Sequence, residues 1–513
     1  GASIGTGAGN VGVGRRSLFQ ATSSNNTCVG MQAGYGITSG EKNIAIGNGA
    51  MEIALTTGDD NVVVGMSAGT SITSGNKNVV IGNSAGYAIT TSVNTVAVGH
   101  EALKALVDGA HNVAVGASAL LRLTSGGVNV AMGLAAGSHI TTGSHNTCLG
   151  YDSFQAVVGA GYNTGVGSST GVYQTGNYNT AVGYFSQYGV SGNSSGSYNT
   201  TSGYFAGAYN RGENNTFLGA LAGRFNSTGD RNTIVGSQAA DNAAITGSDN
   251  TSLGFGSAHN IASASNNVYL GANAGFINSG SEGNVGIGSS ALYSGTGGGN
   301  VAIGKLAMQL ATSASSNIAI GYAAAGGGQM TGSGNVIMGD AAGYTITSGS
   351  NNVLIGQNAG RSGSQTPQSM GAVITASNEI QIGNEGHTNA MVQVVWTINS
   401  DGRDKTEIKE LDLGLEFVNK LKPITYKWDK RSKYEDLKPD GTHVEDELQI
   451  GFIAQDIIQL EKEYGYNIED KTNLATWESE DKYKVGLKHS NLIPSLVKAI
   501  QELKAEIELL KSK

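Results

Sequence analysis

Asn61-Val-Val-Val-Gly65 and Asn78-Val-Val-Ile-Gly82 carry the reading of the fold, because the same five-residue block returns along most of the chain. It stands again at Asn43-Ile-Ala-Ile-Gly47, Asn112-Val-Ala-Val-Gly116, Asn129-Val-Ala-Met-Gly133 and Asn352-Val-Leu-Ile-Gly356. The closing glycines run from Gly14 through Gly30, Gly47 and Gly65 to Gly356 and, after a longer gap, Gly383, which makes 22 copies at a spacing of about 17 residues. A fixed short period is the signature of a repeat architecture, in which each unit buries its apolar side only against its neighbours.

Within a copy the residue ahead of the glycine is Val, Ile, Leu or Met everywhere except Ser202, and this reads as the interior position. The residue two earlier is Val, Ile or Thr, and the one between varies from Ala to Phe217 and Tyr269. Such alternation predicts a short β-strand with one face in a core. Three residues after the glycine a small residue recurs (Ala68, Ala85, Ala102, Ala119, Ala136, Ser153, Thr170), as where backbones approach closely. A second glycine, three before the Asn (Gly40, Gly58, Gly75, Gly126), is expected to supply the positive φ of a corner. Each unit then reads as two short strands and two corners, one coil of a β-solenoid. Stacked at roughly 4.8 Å, 22 such coils make a rod on the order of 100 Å long. The recurring Asn would form a column of mutually bonded side chains. So few inward side chains per coil make a thin core, which partner chains would help to bury.

Composition separates this rod from the last quarter of the chain. Of 79 glycines, 73 precede Trp396; residues 1–396 carry 11 Lys/Arg and 15 Asp/Glu, whereas 397–513 carry 19 and 24. The expected division is therefore a glycine-rich repeat fibre over 1–396 and a compact charged domain over 397–513. The net charges of −4 and −5 contain no basic patch able to neutralise a row of phosphates, so nucleic acid is not an expected partner. No run of 18 apolar residues exists to span a membrane. The chain opens at Gly1 inside the repeat pattern, which suggests a fragment lacking an upstream anchoring part.

The rod shows no pattern for chemistry. Polysaccharide-cleaving β-helices need paired carboxylates across a groove, whereas the acids here are scattered and the adjacent Asp59 and Asp60 fall in a corner. His100, His111, His139 and His145 share no ligand spacing with Cys or carboxylate, so neither a metal nor another cofactor is expected. Cys28 and Cys148 occupy the same register seven coils apart, about 33 Å along the axis, too far to bridge within one chain. They read as small buried hydrophobes. Tyr151, Tyr162, Tyr173, Tyr178, Tyr184, Tyr188, Tyr198, Tyr204 and Tyr209 crowd the middle of the rod, many at variable positions suited to contacts with sugar or protein.

The charged part carries four motifs in order: Ser400-Asp401-Gly-Arg403-Asp-Lys405, then Leu421-Lys-Pro-Ile-Thr-Tyr-Lys-Trp428, then Gly451-Phe-Ile-Ala-Gln-Asp456, then Tyr483 to Leu496. Together these resemble the intramolecular chaperone auto-processing domain, peptidase family S74, found at the C-terminus of phage tail fibres and tailspikes. The repeat blocks resemble, at a different period, the trimeric β-roll heads of autotransporter adhesins. The first resemblance implies a small α+β domain that trimerises, drives folding of the β-structure before it and then releases itself. It implies a Ser–Lys dyad mapping onto Ser400 and Lys405, a cut at the Ser400–Asp401 bond, and a possible helper in His443. Arg403 would anchor a carboxylate or support the site. A lysine base suits this chemistry, since a serine hydroxyl is a weak nucleophile until a partner takes its proton. The tail repeats Ile493, Leu496, Ile500, Leu503, Ile507 and Leu510 at three–four spacing, a coiled-coil helix expected over about 491–513. Ile and Leu in that arrangement lean towards a dimer, and the expected homotrimer comes from the resemblance.

The expected function is a trimeric fibre of a virion, a tail fibre or spike attaching to a host-surface glycan or protein receptor. The alternatives are a bacterial surface adhesin using the same chaperone, and a glycan-degrading tailspike. Self-cleavage is the only enzymatic activity expected, with none in the shaft.

Overall fold

The computed structural model describes residues 7–53, 55–156, 158–192, 195–360, 375–384, 400–430, 434, 438–478 and 485–513. Twenty-two strands of three residues each, from β1 (Val11–Val13) to β22 (Ile380–Ile382), form one parallel sheet. Each strand pairs with the next in the chain and aligns equivalent residues: Val62 with Val79, Val63 with Val80, Val64 with Ile81. This is a β-solenoid with one strand per coil. The expected second strand is replaced by turns, in which only isolated bridges such as Ile37 with Thr56 form. Residues of positive φ interrupt that side of the coil, for example Ser67 at 55° and Gly69 at 51°, and extended pairing cannot run through them. Its backbone still bonds from coil to coil, as in Gly69 N–H to the Ala85 carbonyl (3.0 Å).

The strands are turned opposite to expectation. The middle residue points inward (Ala45, Val63, Val80, Ala97, Ala114, all fully buried), and the larger residues on either side of it face outward. A coil of 17 residues encloses too little space for two branched side chains per strand, so the small middle position takes the interior. Where an aromatic ring sits inside, glycines make room. A Cβ added at Gly165 or Gly171 would lie 2.5 Å from the Phe154 ring, and one at Gly275 would lie 2.5 Å from the Tyr269 ring. The small residues after the closing glycine, Ala68, Ala85, Ala102 and Ala119 among them, are fully buried, as are both cysteines. Burial pushes each thiol up to about 12.

The two glycine positions have different causes. The closing glycine is left-handed, φ +141° at Gly65 and +137° at Gly82. The glycine three before the Asn has no positive φ; its side chain is excluded because a Cβ at Gly126 would stand 2.0 Å from the carbonyl oxygen of Gly143 in the next coil. The left-handed corner residue instead precedes the Asn, at Asp60 (59°), His111 (60°) and Tyr162 (60°).

Twenty of the 22 copies place Asn before the strand, Thr95 and Glu379 being the exceptions. These asparagines are buried and form a polar column. Asn129 donates its backbone N–H (3.0 Å) and its Nδ2 (3.1 Å) to Asn112 Oδ1, and its Nδ2 also donates to the Gly143 carbonyl (2.9 Å). One side chain thereby satisfies groups of two coils that would otherwise be buried without partners. At the far end Glu379 N–H donates to Asn352 Oδ1 (2.9 Å).

The C-terminal region holds α1 (Leu415–Lys420), β23 (Ile424–Tyr426), β24 (Gln449–Gly451), α2 (Ala454–Glu463), β25 (Thr476–Glu478), β26 (Val485–Leu487) and α3 (Leu492–Lys511). Two small antiparallel pairs, β23 with β24 and β25 with β26, accompany the helices. Leu413, Phe417, Ile457, Leu460, Ala475 and Leu492 form its core. The Glu461 carboxylate is buried among the N–H groups of Leu474 (2.8 Å) and Ala475 (2.6 Å) and the hydroxyl of Thr476, pinning β25 to α2. A helix stands where one was expected over about 491–513, as α3; Ser495 and Ala499 turn towards the chain, and Ile493, Leu496, Ile500, Leu503, Ile507 and Leu510 are exposed. The expected boundary at 396/397 lies outside the described residues, as does part of the fourth motif.

Candidate functional site

Ser400 and Lys405 are five residues apart, and a 3-10 turn over Gly402–Asp404 brings them together. Asp401 caps that turn: its Oδ1 accepts from Arg403 N–H at 2.9 Å. The folded-back chain sets Lys405 Nζ 2.6 Å from Ser400 Oγ. The two residues of the expected dyad are thus in hydrogen-bond contact.

Arg403 closes over the same cap. Its Nε donates to both Asp401 oxygens at 3.1 Å, and its Nη2 to Oδ2 at 2.6 Å. The guanidinium bonds first, and the Arg403 backbone N–H second, hold the Asp401 carboxyl below its ordinary value. The carboxylate that Arg403 anchors is therefore that of Asp401, the residue on the far side of the candidate scissile bond. This clasp could have been read from the Asp-x-Arg spacing of a capped turn.

Both Ser400 and Lys405 are exposed on the single chain. A lysine needs apolar cover in order to act as a base, and the exposed position of Lys405 on the single chain does not give it that. His443 is held elsewhere. Its N–H donates to Tyr434 Oη (3.0 Å), its ring packs edge-on against that tyrosine at 4.9 Å, and Tyr434 in turn donates to Asp429 Oδ1 (2.5 Å). No described hydrogen bond joins His443 to Ser400 or Lys405.

In the shaft the histidines are spread over separate contacts: His111 beside Asn94 Nδ2 (3.4 Å), His139 beside Ser138 Oγ (3.1 Å), His145 stacked on Tyr162. Asp59 accepts from Glu41 N–H at 2.7 Å, a corner role. His145, Tyr162, Tyr178 and Tyr198 stack in one outward column with centroids 4.6, 4.9 and 4.9 Å apart. Their faces are turned to one another along the fibre axis, so they present ring edges and phenolic hydroxyls to solvent. That differs from the open ring face on which a sugar stacks.

A long solenoid followed by a small α+β module that opens on a Ser–Lys contact fits a fibre protein like the tail fibres and tailspikes. Residues 400–466 match the family model described as chaperone of endosialidase, peptidase S74. The match starts at Ser400, spans three of the four motifs and bears out the resemblance read from them. A comparison with curated proteins yields no match. No described helix is long and apolar enough to cross a membrane.

Proposed function

We propose that this chain is the subunit of a homotrimeric fibre, a tail fibre or spike of a virion that reaches a glycan or protein on the host surface. The division falls at 396/397: the repeat shaft before it, and after it a domain that aligns three chains and then detaches. The observation carrying this reading is the 2.6 Å contact between Lys405 Nζ and Ser400 Oγ, placed where the family match begins, directly after the shaft. The exposed apolar row on α3 supports association of the terminal helices, because six large side chains left in water are a cost that a helical bundle removes.

Self-cleavage would begin with assembly. Neighbouring chains cover the dyad, and Lys405, once neutral, takes the Ser400 hydroxyl proton. Attack by Ser400 Oγ on its own carbonyl would close a strained four-membered ring, so the oxygen adds to the Ser400–Asp401 carbonyl of a neighbouring copy. The Asp401 amine leaves with the proton returned by Lys405, and water hydrolyses the remaining ester. Coupling cleavage to cover by partner chains would delay release until three chains are in line.

The test is the intact mass of the purified chain and of Ser400→Ala. Wild type should yield a fragment beginning at Asp401, and Ser400→Ala only the full-length chain. Two full-length chains, differing only by the oxygen atom that the substitution removes, would take the cleavage step out of this reading.

A further inference from the structure

The outward side of the 22-stranded sheet presents two columns, one from the first residue of each strand and one from the third. All 44 positions are uncharged: the first is Val, Ile or Thr in every copy, and the third is Val, Ile, Leu or Met in every copy but Ser202. These side chains are all at least partly open to water, the more exposed of them including Ile81 (38%), Met132 (47%) and Leu253 (51%). Charged residues such as Asp59, Lys77, Asp108 and Asp230 sit at the corners instead. The closing glycines flank the columns with no side chain of their own to hold a neighbour off.

We infer that this strand face is where copies of the chain pack against one another, in parallel and in register, along the whole shaft; the inference rests on the trimeric-fibre reading and names its contact surface. Size supports it. At roughly 50 Å² of apolar surface per outward side chain the stripe is on the order of 2,000 Å² per chain, against about 300–600 Å² for the largest patch on an ordinary monomer and about 800 Å² per partner in a stable interface. Shape selects the occupant. The stripe is two side chains wide and on the order of 100 Å long at the strand spacing, so a compact partner would cover only a fraction of it. A surface with the same spacing, length and lack of charge exists on a second copy of this chain.

The arrangement also accounts for the sidedness of the strands. Only the middle residue of each strand enters the interior of its coil, and the branched apolar residues on either side of it become the material of the contact between chains. Through seven successive copies (Thr147, Thr164, Thr180, Thr200, Thr216, Thr233, Thr251) the first column is Thr while the third stays apolar apart from Ser202. This keeps the branched shape and adds a hydroxyl, making the middle of the shaft the more polar stretch of the interface.

The experiment uses the full chain carrying one new cysteine, Val130→Cys or Met132→Cys on the two columns, or Asp108→Cys at a corner, treated with a short bismaleimide. The buried native thiols Cys28 and Cys148 should leave wild type unlinked. At least one column variant should give covalently linked chains on a denaturing gel, and the corner variant few. Light scattering on the same samples separates the strand-face contact from trimerisation itself. A trimer in which the column variants do not link and the corner variant does would overturn the strand-face contact and leave the trimer standing. A monomer would overturn both. As a second measure, Val96→Lys with Val98→Lys, at positions compatible with the fold of a single chain, should reduce protection of the neighbouring coils from hydrogen exchange at least ten-fold. Unchanged protection in an assembled fibre would count against the proposal.

Discussion

A coil of the shaft bonds to the coil before it and the coil after it, about 17 residues away in either direction, as Asn129 does with Asn112 and Gly143. In the C-terminal region Glu502 of α3 instead reaches back 87 positions to accept the N–H of Leu415 at the start of α1 (2.7 Å). The first kind of contact is local and endlessly repeated. Any coil resembles any other, so a chain, or a bundle of chains, can be stacked one repeat out of step at little cost. The second kind is unique in the sequence and ties distant segments into one arrangement. The region poor in repeats can therefore set the register for the region made of them, which is what a chaperone at the end of a fibre is required to do.

The largest effect that would break this comparison is at α3. Ile500→Asp with Ile507→Asp changes two exposed side chains and should leave the folded single domain intact by circular dichroism. Trimer formation by the full chain should nevertheless be lost, as light scattering would show. If in-register fibres still form, the shaft aligns itself and the division of labour is wrong.

Next in size is Gly126→Ala, which puts a methyl group 2.0 Å from the Gly143 carbonyl oxygen. A backbone clash of this kind is expected to cost about 3–5 kcal/mol locally. Hydrogen exchange should speed up over the neighbouring coils and remain unchanged in residues 400–513, since a repeat array opens piecewise. Gly280→Ala, where φ is not positive and the added Cβ meets nothing nearer than Ser263 Oγ at 3.8 Å, should cost far less. A uniform response through both regions would blur the contrast between them.

The smallest effect concerns Asp241, paired with Arg224 at 2.8 Å. Burial raises its carboxyl above the ordinary value, outweighing the pull of Arg224 in the other direction. With a folded value above the unfolded one, the group binds its proton more tightly in the fold. Its contribution to stability is present at low pH and lost as pH rises through the raised value. Asp241→Asn should accordingly flatten the dependence of the shaft melting temperature on pH across the acid range in which the raised carboxyl titrates, and leave melting of the C-terminal region unmoved.

The solenoid was legible because Asn and Gly recur at fixed positions for reasons that act on every coil. Which strand residues point inward was not, because each strand gives the interior only its middle residue, so the larger apolar residues on either side of it are left outside. Val64 and Ile81 look like core and are surface; Ala97 and Ala114 look like filler and are core. The role of Gly126 is hidden for a related reason: the obstacle to a side chain is a carbonyl in another coil, which no local φ preference reveals. In the C-terminal region the motif identified Ser400 and Lys405, and the five-residue spacing was enough for a capped turn to join them. The clasp between Arg403 and Asp401 is local and was open to reading from the Asp-x-Arg spacing, whereas the engagement of His443 with Tyr434 needed the folded structure, because it depends on how a loop closes rather than on periodicity.

The asparagine column has a direction. Each Oδ1 receives the N–H of the following coil and never that of the preceding one, so the C-terminal end of a partly folded shaft carries a free acceptor awaiting the next repeat. Addition then resembles growth of a crystal on one prepared face, with each layer printing the template for its successor. Thr95 is a flaw in that lattice which the stack grows past, and at Glu379, the last such position among the described residues, the backbone N–H is still donated to the Asn352 amide oxygen. Growth of this kind lets each layer inherit its register from the one laid down before it.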